Sequence, residues 1–578
     1  MITASQTATT RIIYSFIGGA AGLATYGLIE LVPDVVENAR VVLFLIAFGL
    51  GFLGVLLGLM GPLRLRIAAA TALGMALPAS LLLLWASFRH DNAADFLEGG
   101  YEISAYIYLL FISVPFAIAQ LQQHGGWRHY GLLFDAAWEL VVRIASALLF
   151  VGVTWTVLML SDQLLGLVGL TVIEWLIELD PVPYLISGVA LGLSLAIVFE
   201  LRDYVSPFLI IQLLRVLLPA LLVVLAVFIL ALPVRGLSSL FGQLSAAAIL
   251  LGVTGAGVTL ITTAIHRDDP LSVQGPLMRG AAQALSVLLV VPALLALWAV
   301  WLRVDQYGLT PNRIAALVAA GVASIYALAY AGAVLRRRGW RTRQRHVNRS
   351  MAVFTLVVAA VWMTPLLNAE RLATASQLAR AAEGTPPDTL PLWELAHDWG
   401  RAGQRGLAML ETRSQDAPAT LDLIEKARRS ETKWAYAEAG DAEISISGRV
   451  PLRPEGVRLP QGALDTLPPE ERRMIETACN RRAPGDHPGC VVVRGTFEPV
   501  DGVDHVIGFF MTSDTHVHIT SYTLRGDALE RGGFPRDLKS GTFATASPRI
   551  ITDILEGRFA MAPAARNVLE VDGMRLSP

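Results

Sequence analysis

Eleven runs of roughly 20 mostly apolar residues dominate the first 368 positions, and they leave this stretch of chain few ways to fold. A helix needs about 20 such residues to cross roughly 30 Å of hydrocarbon, where its backbone polar groups must be satisfied internally. The runs are Ile12–Val32, Val41–Gly61, Ile67–Phe88, Ile103–Gln120, Leu140–Leu160, Tyr184–Leu201, Val216–Leu232, Ser245–Ile265, Leu285–Leu302, Ile314–Leu335 and Met351–Asn368. Pro115 and Pro219 fall inside two of them; proline is tolerated in lipid when neighbours re-satisfy the freed carbonyl. The first run lacks a small-residue cleavage pattern and is followed at once by a second, so it is expected to be a retained helix.

Composition agrees. The chain has 578 residues, is 54% hydrophobic and only 16% charged, and carries a net charge of −2. That balance lacks the basic footprint of a nucleic-acid binder. Residues 369–578 hold 30 of the 48 acids and 25 of the 46 bases, leaving 18 and 21 for the longer first part. The expected architecture is a membrane all-α bundle of about eleven transmembrane helices (1–368), a helical neck (369–433) and a small soluble α+β domain (434–578).

Orientation is read from Lys and Arg, which short cytoplasmic loops retain. Arg336, Arg337, Arg338, Arg341, Arg343, Arg345 and Arg349 lie between the tenth and eleventh runs. With that segment cytoplasmic, the N-terminus is inside and the tail outside. Arg11, Arg64, Arg66, Arg128, Arg202, Arg215, Arg267 and Arg279 then fall inside as well, against Arg40, Arg89, Arg235, Arg303 and Arg313 outside. The outer connections are acidic: Asp34 and Glu37; Asp91, Asp95, Glu98 and Glu102; Glu174, Glu178 and Asp180.

Two connections are more than loops. Trp127–Glu139 mixes aromatic and charged residues, which suits an interfacial amphipathic helix or the wet end of a longer one. Leu164–Leu179 suits an outer interfacial or re-entrant helix, with the same alternative. Within the runs, Glu30, Arg143 and Glu200 sit near ends and are expected to snorkel. No relay of Asp, Glu and His crosses the runs, as a proton-coupled carrier would need, and no nucleotide-binding phosphate loop is present. The pairs Gly18/Gly22, Gly54/Gly58 and Gly188/Gly192 allow close helix approach, within the chain or, less expectedly, in a homo-oligomer.

The segment Tyr307-Gly308-Leu309-Thr310-Pro311-Asn312-Arg313 reads as a structural hairpin. Thr310 is an N-cap, Pro311 sits at the first helical position, Gly308 makes the turn, and Asp305 can pair with Arg313. In this context it resembles a group of bacterial polytopic membrane proteins called domain of unknown function 4153. So do Leu132-Leu-Phe-Asp-Ala-Ala-Trp138, the run from Leu214 through Pro219 to Leu232, Pro233 and Gly236, and the stretch Ser376-Gln-Leu-Ala-Arg380, Gly384, Trp399-Gly-Arg-Ala-Gly403 and Leu407-Ala-Met-Leu410. The likeness covers roughly residues 100–430. It implies an integral inner-membrane protein without an assigned activity or catalytic residues.

Beyond Asn368, helical spacing is expected in Leu378–Ala382 and Leu392–Leu410, with a start at Asp388 and Thr389. Period-two patterning predicts strands at Ala442–Val450, Val491–Phe497, Val506–Met511 and His516–Tyr522, a hairpin at Pro499–Val503 and a helix at Pro468–Cys479. Together they give an antiparallel sheet of four or five strands. Cys479 and Cys490, the only cysteines, are expected to form a disulfide in an oxidising compartment, worth about 3 kcal/mol on the chain-entropy model. Asp514, His516 and His518 alternate on one strand face; they are the candidate metal or catalytic group, with a solvated strand face as the plainer reading. No nucleophile motif appears, and no cofactor is expected. The partners expected are the lipid bilayer and an envelope protein or a second copy. Function narrows to a non-enzymatic envelope scaffold or sensor in the bacterial inner membrane with a periplasmic C-terminal domain; the alternative is a transporter or channel for a small or lipidic solute.

Overall fold

The computed structural model describes residues 4–123, 125–200, 207–235, 244–436, 445–495, 497, 504–537, 544, 546–562, 568–571 and 574–577. The chain forms two compact units, Met1–Leu421 and Asp422–Pro578. The first is helical. Its long helices are α1 (Ala4–Tyr26), α2 (Ala39–Leu59), α3 (Leu65–Ser87), α4 (Tyr101–Gln122), α5 (Tyr130–Gly166) and α6 (Pro181–Glu200). There follow α7 (Pro207–Arg235), α8 (Leu244–Ile265), α9 (Pro276–Tyr307), α10 (Pro311–Leu335) and α11 (Trp340–Trp362).

Ten helices among the described residues are long and apolar enough to cross a membrane, in keeping with a multi-pass membrane protein. The eleventh run differs from expectation. Trp340–Trp362 bends by 78° at residues 363–364 into Pro365–Ala382, so Met351–Asn368 is a broken element. Arg341, Arg343, Arg345 and Arg349 do not lie in a loop; they form the first turns of α11, and only Arg336–Gly339 connects it to α10. Helical propensity there is masked by charge, since arginine is a good helix former. Of Trp127–Glu139, Trp127 and Arg128 lie in a turn of 3-10 helix at Gly126–Arg128, and Tyr130 onward is the start of the 37-residue α5. The far end of α5 runs to Gly166, and a six-residue helix follows at Val172–Ile177.

Helices α1 and α6 are antiparallel, zipped by glycine. A Cβ on Gly18 would lie 2.2 Å from Gly188 O, on Gly22 2.1 Å from Tyr184 O, and on Gly192 2.1 Å from Tyr14 O. The zipper is clamped at both ends: Arg11 Nη2 reaches Glu200 Oε2 at 2.8 Å, and Tyr184 OH donates to Glu30 Oε1 at 2.8 Å. These glycines therefore serve packing within the chain. The rest of the unit has two cores, one around Leu59, Leu83, Phe96 and Leu140, the other around Leu218, Ile261, Leu285 and Tyr330.

After the bend come α12 (Ala369–Ala382), α13 (Leu392–Ala396) and α14 (Gly400–Arg413). In the second unit, a five-stranded sheet has the order β1 (Leu452–Arg453), β2 (Cys490–Gly495), β3 (His505–Ser513), β4 (His516–Arg525) and β5 (Ala528–Gly533). β1 pairs parallel with β2, against the expected all-antiparallel arrangement; the other pairs are antiparallel. Both faces are covered. Val491, Val493, Ile507 and Phe509 face one core, and Val492, Val506 and Phe510 face the other beside helix α15 (Pro469–Asn480). Ala442–Val450 does not form the expected strand over its described part. Residues 445–447 instead wrap the Asp465 carboxylate, which accepts from Ile446 N at 2.7 Å. A second, four-stranded sheet from residues 536–577 had no sequence signal. The Pro499–Val503 hairpin, Arg202 and Gly236 lie outside the described residues.

Gly22→Val places a side chain against the Tyr184 carbonyl and should cost about 1–3 kcal/mol by overpacking. Gly54, with nothing within 4 Å of an added Cβ, should accept alanine unchanged. Thermal unfolding of the two purified variants checks the contrast.

Candidate functional site: a charged cleft at the bend

Helix C-termini leave carbonyl groups unpaired, and here arginines meet them. At the end of the first unit where α10 starts, Gly308 has φ +73°. A Cβ on it would fall 2.6 Å from Arg380 Cδ and 2.7 Å from Gln377 Nε2, so glycine is required for both conformation and space. Thr310 Oγ1 accepts from Arg313 N at 3.3 Å, with Pro311 at the first helical position. Arg313 does not pair with Asp305. Its Nη1 donates to Gly308 O at 2.7 Å and Tyr307 O at 3.2 Å, because the carbonyls ending α9 compete for it. From α12, Gln377 Nε2 donates to Tyr307 O at 3.0 Å and Leu309 O at 2.9 Å, Arg380 Nη1 to Tyr307 O at 2.7 Å, and Ser376 Oγ accepts from Leu309 N at 3.0 Å. Tyr101 OH donates to Asn312 Oδ1 at 2.7 Å. The hairpin is thus a latch for α12.

Next to the latch, Arg89 organises the bend. Its Nη2 donates to Trp362 O at 2.6 Å and Thr364 O at 2.9 Å, and its Nη1 to Glu102 Oε1 at 2.9 Å, with Glu370 Oε2 at 3.5 Å. All three side chains are over 90% buried. One guanidinium therefore serves two carboxylates, and Glu370 Oε2 has no hydrogen-bond partner. Arg401 N donates to Arg89 O at 2.9 Å, Arg401 Nε pairs with Asp91 Oδ1 at 2.8 Å, and Arg40 Nη2 donates to His90 O at 2.8 Å. Gly400 is close-packed here: its Cβ would lie 2.6 Å from Arg89 O.

Between the end of α3 and helices α12 and α14 lies a cleft of about 390 Å³. Arg371, Arg401, Arg405 and Glu370 line it together with Trp85, Phe88 and Met409. Two larger grooves of the first unit are apolar. One of about 770 Å³ runs along α2, α4 and α5 past Gly51, Gly54 and Gly58. Another of about 640 Å³ lies among α4, α8, α10 and α11.

Four of the seven arginines at 336–349 cap backbone carbonyls. Arg345 Nη2 donates to Ile265 O at 2.7 Å and its Nε to His266 O at 3.1 Å; Arg341 Nη2 donates to Val273 O at 2.6 Å; Arg349 reaches Arg128 O and Arg343 reaches Arg338 O. Arg336, Arg337 and Arg338 are exposed. Burial, with Arg215, Arg267 and Arg345 nearby, pushes His266 down to about 4. Arg143 does not snorkel; it is buried and donates to Met60 O at 2.8 Å and to Gly58 O, closing the end of α2. Within α11, Asn348 Oδ1 accepts from Tyr326 and Tyr330, and its Nδ2 donates to Tyr130 OH at 2.9 Å.

In the second unit, Cys479 and Cys490 are joined, S–S 2.07 Å. Asp514, His516 and His518 do not converge. Asp514 lies in the turn before β4, His516 Nδ1 is 3.0 Å from Thr515 Oγ1, and the His518 ring stands edge-on to Phe534 at 5.5 Å. Burial and Arg531 depress the His518 pKa. Among the described residues, no three His, Cys, Asp or Glu side chains are placed to hold a metal ion. Sequence reasoning missed Arg89, Glu102 and Glu370 as a group. The available signal is Arg89, a base close to the acids Asp91, Asp95, Glu98 and Glu102, with Glu102 and Glu370 each in the first turn of a helix.

No family model matches the chain, and no curated protein and no solved structure matches it.

Arg89→Gln would leave two buried carboxylates without a cation and should destabilise by about 3–5 kcal/mol. Glu370→Gln, which removes the surplus carboxylate, should cost far less or stabilise. Denaturant melts of the two variants in detergent measure the difference.

Proposed function

We propose that this chain is a multi-pass protein of a bacterial inner membrane with a cytoplasmic N-terminus, residues 422–578 in the periplasm, and a non-enzymatic role as an envelope scaffold or sensor. The observation that carries this reading is where the charged side chains go. Arg89, Arg143, Arg215, Arg345 and Arg380 are engaged in locking helix ends, and the two larger grooves of the first unit are apolar. That favours a rigid body carrying a folded domain over a machine that moves ions. The arginine-rich end at α11 and the acidic opposite connections support the orientation. The Cys479–Cys490 bond supports an oxidising compartment for the second unit. The likeness of Tyr307–Arg313 and Ser376–Arg380 to domain of unknown function 4153 supports the location, and the two segments meet in the latch.

A second reading, a carrier for a lipidic solute, is favoured by one feature: the 770 Å³ apolar groove with room at Gly54. Flux of labelled lipid across proteoliposomes distinguishes it from a scaffold, which gives none.

On the leading reading, Cys479 and Cys490 resist alkylation in native cells until a reductant is added. An envelope protein cross-links to the full chain and not to a truncation at residue 421. Free thiols in untreated cells, or an unchanged cross-linking pattern after truncation, would count against it.

A further inference from the structure

The cleft at the bend has an excess of guanidinium. Arg89, Arg371, Arg401 and Arg405 stand against Glu102, Glu370 and Asp91, and the pairing is uneven. Arg89 is held by Glu102 and Glu370, and Arg401 by Asp91. Arg371 and Arg405 line the same cleft, are exposed, and have no ion pair among the described residues; Arg405 is tethered only through Nε to Arg401 O at 3.0 Å. Beside them Trp85, Phe88 and Met409 are 53%, 47% and 49% exposed. From Trp85 an exposed stripe continues along α3 at four-residue spacing through Leu81, Leu77 and Leu73.

That arrangement has the order of a phospholipid. An apolar stripe along a helix that crosses a bilayer faces acyl chains, a tryptophan sits at the level of the headgroups, and two unneutralised guanidinium groups present forked donors that match phosphate oxygens. Glu370 lines the cleft as well, but its buried Oε2 is held by Arg89 at 3.5 Å, so it leaves the two exposed arginines unneutralised. We infer that this cleft binds the phosphate of an anionic bilayer phospholipid, with Arg371 and Arg405 as the phosphate ligands. The excess positive charge selects an anionic headgroup over a zwitterionic one. The inference rests on the reading that the helices cross a bilayer. It does not depend on which side the cleft faces, nor on the scaffold role.

The test uses the full chain in detergent, with native mass spectrometry of lipid retained after exchange against phosphatidylglycerol, phosphatidylcholine or inorganic phosphate. Wild type should retain one phosphatidylglycerol in preference to phosphatidylcholine, and R371Q/R405Q should lose that retention by at least about tenfold, the loss of one or more charge-assisted hydrogen bonds. The charge-preserving R371K/R405K should keep most of it. Arg279→Gln, an exposed arginine outside the cleft, should change nothing. Melting temperatures of all variants should match wild type; if R371Q/R405Q fails to fold, Arg371→Gln alone carries the same expectation at reduced size. Equal retention of the two lipids, or retention unchanged in a folded R371Q/R405Q, overturns the site. Displacement of phosphatidylglycerol by millimolar inorganic phosphate overturns the lipid as its source. A scaffold reading disproved by cross-linking leaves each of these outcomes untouched.

Discussion

The first unit depends on satisfying the carbonyls at the ends of its helices. Four carbonyls per helix lack an intrahelical partner, and each left unpaired away from water costs about 1–3 kcal/mol. Connections here are short, so side chains from neighbouring helices do the work: Arg215 on Thr263 O and Leu271 O, Arg345 on Ile265 O and His266 O, Arg143 on Met60 O, Arg89 on Trp362 O and Thr364 O. Arginine suits the task because its planar fork offers five donors and stays charged when buried. A lysine would satisfy fewer carbonyls and would lose its proton more readily in such a place.

The bend at residues 363–364 is the case in which this capping has a further consequence. Arg89 can reach Trp362 O and Thr364 O because the helix breaks there. The break turns α12 across the bundle end, where Ser376, Gln377 and Arg380 meet the Tyr307–Leu309 carbonyls and amide. The latch and the cap thus hold one strut from both ends. The strut's far side, with Arg371 beside Arg405 of α14, forms the cleft wall. A pocket built this way is rigid in its floor and free only in its long side chains, which is the condition for recognising a small charged group.

Much of this frame was legible in the sequence because bilayer length and apolar run length are linked directly. Ten helices long and apolar enough to cross a membrane cover the positions of the first ten runs. The eleventh run coincides with a helix that bends by 78° at its end, and Arg341–Arg349 reads as a loop by charge, although Arg341, Arg345 and Arg349 point back to carbonyls 60–80 positions away or across the bundle, contacts that leave no local trace. Arg143 misled for the same reason. Its position near a run's end suggests snorkelling, whereas its actual partner, the end of α2, is over 80 residues earlier. In the second unit, β2, β3 and β4 follow period-two patterning, but Ser445–Ser447 is claimed by Asp465, a tertiary contact that overrides alternation. The cleft itself was not legible, since Arg371 and Arg405 acquire their meaning only from lacking partners after folding.

Glycine spacing shows the same dependence on what lies opposite. Gly18/Gly22 and Gly188/Gly192 meet each other, so the missing side chains let two backbones touch, and the ends are then fixed by Arg11–Glu200 and Tyr184–Glu30. The same four-residue spacing at Gly54/Gly58 faces no small partner. Gly54 has open space, Gly58 meets only Leu140 and Val114 side chains at 3.6 Å, and the result is the wall of the 770 Å³ groove. One pattern therefore closes an interface in the first case and opens a groove in the second. With the buried Arg143, Arg215 and Arg345 committed to backbone carbonyls, that groove is room for hydrocarbon, and polar recognition is left to the bundle end, where Arg371 and Arg405 remain unneutralised.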